Sequence, residues 1–317
     1  MKFKPSALLQ LLSSNIPLVV NSFKLFNCTN IVSVKFSKKF ELSYMSLKTI
    51  VPLLFALFTS VIHISGPLNW LRTHWLATFP NWKFVLVGYT GFLNGVITIG
   101  LMHIQRVRKE IMVMLKACLD TELQLIREGV PVYVHRYFVI FGATVVSTFV
   151  LVPCAVSVMS FFQPCMPPVL TSTMILNCKN WRHDGEAGLL IKFVVGIYEF
   201  YAWMVILGTV GIGVYVALLY PVEVKLLILD YIEKNEMGVK RPTSSYHLYK
   251  YRVLQLITTY HNNAWCQPSV PVGMGGIAVA ETVSLYILVT SYYQAPIIIL
   301  LLFLIIALDC FVVIHVV

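Results

Sequence analysis

APIIILLLFLIIALDCFVVIHVV, residues 295–317, decides the class of this chain. Only Asp309 and His315 interrupt the apolar run. At about 1.5 Å per residue it is long enough to cross a bilayer core of about 30 Å. Five earlier stretches read the same way: Leu47 to Ser65, closed by Gly66-Pro67, then Phe84 to Ile104, Tyr137 to Phe162, Leu189 to about Leu219, and Val270 to Tyr292. The fourth exceeds what a bilayer needs, so it tilts or runs on into water. Pro153 inside the third should kink it. The expected fold is all-α, a polytopic membrane helical bundle with six spans present of an expected seven. Because residue 317 falls in mid-hydrocarbon, the chain reads as incomplete at its C-terminal end.

Composition agrees. Hydrophobic residues make up 58% and charged residues 12%, against about 25% charged in soluble domains. Mean hydropathy is +0.78. The net charge of +10 sits in the loops, which argues for a role in topology and against nucleic acid. None of the seven cysteines forms a CxxC pair, so neither a zinc site nor any cofactor is expected.

Orientation follows from the basic residues. Seven Lys and Arg precede or edge the first span, two lie in the next loop, then six, three and six. Positive loops face the cytoplasm. The expected organisation is a cytoplasmic N-terminal segment (1–46), spans one to four (47–219), a cytoplasmic helical loop (220–269) and spans five and six (270–317). The modestly apolar run from Ala7 to Val20 suits an interfacial amphipathic segment better than a signal peptide. The sequon Asn27-Cys28-Thr29 then lies in the cytosol, unused. Cys165 and Cys178 share an outer loop, where they either pair as a disulfide or remain separate thiols.

The inner loops carry helical patterns. Ile104 to Glu128 reads as a continuation of span two, with Ile111, Leu115 and Leu119 in register. Val222 to Glu236 extends span four. Tyr246 to Asn263 forms a further helix with Leu248, Tyr251, Leu254 and Ile257 on one stripe. Such stripes are packing surfaces more often than lipid-lying ones.

Three carboxylates fall within spans: Glu199, Glu281 and Asp309. A charge at the bilayer centre costs about 2.5–3.5 kcal/mol on insertion scales, so such groups face a cavity or a partner. Glu199 sits among Tyr198, Tyr201 and Trp203, and this face, with Glu281 from span five, is the candidate ligand-binding wall. A structural ion pair or snorkelling explains Glu199 equally well. Asp309 suits a lone protonated acid buried between helices. There is no Walker A loop, HExxH or GxSxG, and the chain is not expected to be an enzyme. His135-Arg136-Tyr137 imitates the receptor arginine triplet but opens a span instead of closing one.

An internal N-terminus, long basic inner loops and short outer loops resemble the arthropod odorant and gustatory receptor superfamily. Tyr251-Arg252-Val253-Leu254-Gln255, followed by Asn262-Asn263, is similar to its springtail members. The Thr-Tyr and Gln-Phe motif of that family's seventh helix has no counterpart here. The resemblance implies a plasma-membrane, ligand-gated cation channel that answers small apolar odorants or tastants. It also implies homo- or hetero-oligomeric assembly, a ligand pocket in the outer halves of the middle helices, and a pore lined by a seventh helix. A G-protein-coupled type of receptor, or a transporter or membrane scaffold, are the alternatives.

The topology is testable. Tags at residue 1 and within 238–245 should resist external protease, while a tag near Asn180 should be cut. Glycan on Asn27 in the intact chain would invert the orientation.

Overall fold

The computed structural model describes residues 14–29, 34–36, 40–42, 47–74, 81–166, 169, 188–236, 244–265 and 269–316. A helix α1 (Asn15–Phe26) and a single 3-10 turn precede a two-stranded antiparallel hairpin. In that hairpin β1 (Val34–Phe36) faces β2 (Phe40–Leu42), with Lys35 opposite Glu41. The rest is helical: α2 (Leu47–His74), α3 (Asn81–Arg106), α4 (Arg108–Arg127), α5 (Arg136–Phe162) and α6 (Leu189–Gly211). A π-helical stretch, Ile212–Leu219, joins α6 to α7 (Tyr220–Glu236). Then come α8 (Ser244–Trp265), α9 (Ser269–Thr290) and α10 (Ile297–Val316).

Among the described residues six helices are long and apolar enough to cross a membrane. They cover Ile50–Thr73, Asn81–Arg106, Arg136–Phe162, Leu189–Glu233, Val270–Thr290 and Ile297–His315. The chain is thus a multi-span helical membrane protein. Gly66-Pro67 does not end the first span, as the sequence suggested; α2 runs through both residues to His74. An internal proline loses one backbone bond, which a packed helix tolerates. The continuation of the second span is interrupted at Val107, whose backbone leaves the helical region before α4 resumes.

The spans form a closed ring in the order α2, α3, α9, α10, α5, α6 and back to α2, with a further contact between α3 and α6 across it. At one end α1, α4, α7 and α8 gather into a base. Here α1 is a core element. Val19, Phe23 and Phe26 are all buried in the cluster that also holds α4, α5 and the π stretch. Burying each such side chain contributes about 1.5–3 kcal/mol. Its stripe is therefore taken up by protein and not left for a membrane surface. The approach is close enough that a Cβ at Gly208 would collide with the Phe26 carbonyl oxygen. Gly142 likewise leaves room for Tyr215, whose hydroxyl oxygen would lie 2.6 Å from an added Cβ. Tyr215 stacks on Phe138 at 4.7 Å.

The stripe expected on α8 holds in its second half. Ile257 is buried and Leu254 is half-buried against the core, but Leu248 and Tyr251 are exposed, and the buried side takes in Lys250, Ala264 and Trp265. The cause is Lys250. Its ammonium donates to Glu128 at 3.0 Å and lies 5.8 Å from the centre of the Tyr231 ring, so the helix turns that side inward.

Glu122 of α4 ties the base together. It is fully buried. One oxygen accepts the Asn15 backbone N–H at 2.8 Å, capping α1, and the other accepts the Tyr220 hydroxyl at 3.0 Å. Burial outweighs these bonds and pushes the carboxyl up to about 7. A folded-state value raised above the ordinary 4.5 means the group's favourable contribution is present in full below about 4.5. It is lost as pH rises through about 7. Glu122→Gln keeps an acceptor and removes the charge. Its melting temperature relative to wild type should therefore rise between pH 5 and 8, by an equivalent of about 3 kcal/mol at most. Parallel curves for the two proteins would show that Glu122 does not titrate in this range.

Candidate functional site

Five spans, α3, α9, α10, α5 and α6, line an elongated apolar cavity of about 430 Å³. The α2 helix packs outside, against α3 and α6, and reaches the cavity through His63. The wall is built by helical spacing. Leu86, Leu93, Gly100 and Ile104 bring one face of α3 to it, and Phe141, Thr148, Val152 and Met159 one face of α5. Tyr89 and Phe303 meet across it with ring centres 5.7 Å apart.

The threonine hydroxyls on the wall are already engaged. Thr90 donates to the Leu86 carbonyl at 2.8 Å and Thr209 to that of Val205 at 2.9 Å. Thr144 donates to Ile140 at 3.0 Å. Besides the Tyr89 hydroxyl and the Cys310 thiol, an acid and an imidazole interrupt the apolar lining. Asp309 accepts from the Thr148 hydroxyl at 2.5 Å. His63 donates from Nδ1 to the Thr59 carbonyl at 2.8 Å and places Nε2 3.2 Å from Glu199.

The contact between His63 and Glu199 carries a proton by simple counting. A carbonyl only accepts, so Nδ1 bears hydrogen. A neutral ring then offers a lone pair at Nε2, and a carboxylate offers only lone pairs. One shared proton resolves the clash and leaves the pair stable at zero net charge. His63 is 4% exposed and Glu199 not at all, so neither reaches water for relief.

The residues singled out by sequence have separate placements. Trp203 is buried and lines the cavity. Glu199 faces α2 through His63. Tyr198 donates to or accepts from Thr59 at 2.8 Å, and its ring meets Phe55 edge-on at 5.2 Å. Tyr201 also packs on Phe55, at 5.1 Å. Glu281 is half-buried on α9 beside Ala280, which does line the cavity. Cys165 is disulfide-bonded; Cys178, its expected partner, lies outside the described residues. His63 was not foreseen, because a lone histidine 136 positions from its acid gives no spacing signal. Among the described residues no group of three or more His, Cys, Asp or Glu could hold a metal.

The lower end of the cavity abuts the π stretch. A π turn bonds five residues back, as the Tyr220 N–H does to Tyr215, and frees carbonyls of its own. Side chains of α8 fill them. Trp265 donates to Ala217 at 3.1 Å, and His261 donates from Nε2 to Leu218 at 3.1 Å. Nδ1 of His261 accepts from Lys225 at 3.4 Å. Burial, and then the Lys225 charge, lower its basicity to about 4, so the ring stays neutral with one donor and one acceptor.

Comparison of the chain with protein-family models, with curated proteins and with solved structures finds no match in any of the three.

If the buried pair is a unit, its two members fail together. His63→Leu strands the Glu199 carboxyl and should cost about 3–5 kcal/mol. The double replacement His63→Leu with Glu199→Leu should recover most of it. Thermal unfolding in detergent of both single variants and the double measures this; a double loss equal to the sum of the two single losses would show that the partners act independently.

Proposed function

We propose that this chain is a subunit of a chemosensory receptor, non-enzymatic and resident in the plasma membrane. It is a ligand-gated cation channel in assembly with like subunits, and small apolar odorants or tastants are its ligands. The observation that carries the reading is the cavity lined by five spans. Its volume falls within the range of about 300–1,000 Å³ typical of ligand sites, and its walls match their mostly apolar lining with few polar groups. The cysteine chemistry supports the orientation that the reading needs. Disulfides persist on the oxidising side of a membrane, and the loop holding Cys165 is the one that the charge bias puts outside. An internal N-terminus speaks against a G-protein-coupled type of receptor. A transporter would need a polar path along its substrate route, and three of the four threonines on this wall, Thr90, Thr144 and Thr209, have spent their hydroxyls on their own helices.

The base supports a signalling role. The π stretch lies between the cavity, which Gly213 lines, and α8, whose Trp265 lines it too. A ligand that moves α6 thereby moves the cytoplasmic helices of this reading.

In cells that give a ligand-evoked current, Trp203→Ala should shift the half-maximal concentration about tenfold or more while surface delivery stays normal. Tyr201→Ala, which packs on Phe55 instead, should leave it within about twofold. An unchanged response to Trp203→Ala together with a second wall variant, Leu207→Ala, would remove the cavity as the ligand site.

A further inference from the structure

The cavity is a slot. On α3 its lining runs from Leu86 to Ile104 and on α5 from Phe141 to Met159. Eighteen residues of helix in each case rise about 27 Å, nearly the thickness of a bilayer core. A compact odorant would fill one part of it and leave the remainder empty. The shape instead suits a long, thin, flexible occupant.

The polar groups along the slot are unequally available. Thr90, Thr144 and Thr209 spend their hydroxyls on backbone carbonyls. His63 spends both ring nitrogens. Among the described residues Asp309 is the one carboxyl on the wall, and it has capacity to spare, since Thr148 occupies a single carboxyl oxygen. A carboxyl with an open acceptor position recognises a hydrogen-bond donor, and charge on either partner strengthens that bond. From Thr148, level with Asp309, the α5 wall continues apolar through Val152 and Val156 to Met159. That is eleven residues, or about 16 Å, room for an extended chain of medium length.

Resting on the proposed receptor reading, we infer that the slot binds an unbranched aliphatic chain with one terminal hydrogen-bond-donating head, a hydroxyl or an amine. The head sits on Asp309 and the tail lies along the α5 wall towards Met159 and Trp203. The same chemistry could come from a free amphiphile or from the acyl region of a bilayer lipid. The acyl tail of a lipid carries no donor at its end, so the Asp309 contact favours the free amphiphile.

The test uses the intact 317-residue chain in phosphatidylcholine nanodiscs and tritiated dodecanol as probe, with competitors compared at equal mole fraction in the bilayer. Dodecanol should bind saturably, and hexanol and dodecane should each compete at least about tenfold less well. Asp309→Asn should weaken dodecanol about tenfold, or about 1.4 kcal/mol, and leave its melting curve intact. Gly273→Leu adds bulk on the wall, where a Cβ meets nothing within 4 Å, and should abolish binding without unfolding the protein. Dodecane competing as well as dodecanol would overturn the Asp309 contact. Hexanol competing as well would overturn the length argument while leaving a small-ligand site standing. If a phosphatidylcholine with a diazirine in its acyl chain labels α5 and α10 and dodecanol does not displace it, the slot belongs to bilayer lipid and the inference falls. If none of the three compounds binds in a manner sensitive to Gly273→Leu, the receptor reading itself falls with it.

Discussion

Inside a bilayer there is no water to complete a hydrogen bond, and the polar groups of these spans are arranged under that constraint. The threonines meet it within their own helices. Thr98, Thr282 and Thr290 bond carbonyls four residues back, at 2.7, 2.8 and 2.7 Å. Ionisable groups cannot meet it alone, and they set which helices must touch. His63 with Glu199 fixes α2 against α6, and Thr148 with Asp309 fixes α5 against α10. Two of the contacts that close the six-helix ring thus coincide with two of the acids that the spans carry, Glu199 and Asp309. Once these groups are satisfied sideways, the centre is left as apolar space.

The base answers to a different rule. There the charged groups lie at helix ends and carry the connections between elements that are distant in sequence. Glu122 caps a helix 107 residues away, and Glu128 holds Lys250 across 122. His135 bonds Glu223 at 2.6 Å where α5 begins. Such pairs are strongest when both partners are shielded, and Glu122, Glu223 and Lys250 are all buried. The result is a tightly connected platform beneath a ring whose interior is slack.

Much of the architecture was legible in the chain because a hydrophobic run of bilayer length has few places to go except a membrane. All six spans, the helical extension beyond Leu219 and the base helices α4 and α8 can be read from run length and period, whereas the core role of α1 cannot. Edges were harder. Gly66-Pro67 has the composition of a stop, yet Pro67 is accommodated inside α2, where its Cβ lies 3.4 Å from one added at Gly91. The α8 stripe was right at Leu254 and Ile257 and wrong at Leu248 and Tyr251, because Lys250 counted as polar, and only the fold supplies the Glu128 that lets it be buried. The β1–β2 hairpin has strands of three residues, too short for alternation to show. The candidate wall was half visible. An aromatic cluster around Glu199 stood out, but a helix presents successive residues about 100° apart, so Tyr198, Glu199, Tyr201 and Trp203 could not all share one face. Its partition between α2 and the cavity depends on neighbours that no local pattern encodes.

The π stretch sets the phase of the longest helix. Each residue added to an α-helix rotates the remainder of the rod by about 100°, so a turn that closes five residues back and not four carries a stored rotation. Above it, α6 is phased to present Trp203 to the ring. Below it, α7 is phased to present Tyr220 to Glu122 and Glu223 to His135. Without the extra residue the two halves of one rod could not serve both sets of neighbours, since correcting one azimuth would spoil the other. The discontinuity acts as a fixed coupling angle between two machines on a common shaft, and its cost in freed carbonyls is met by Trp265 and His261 from the adjoining helix.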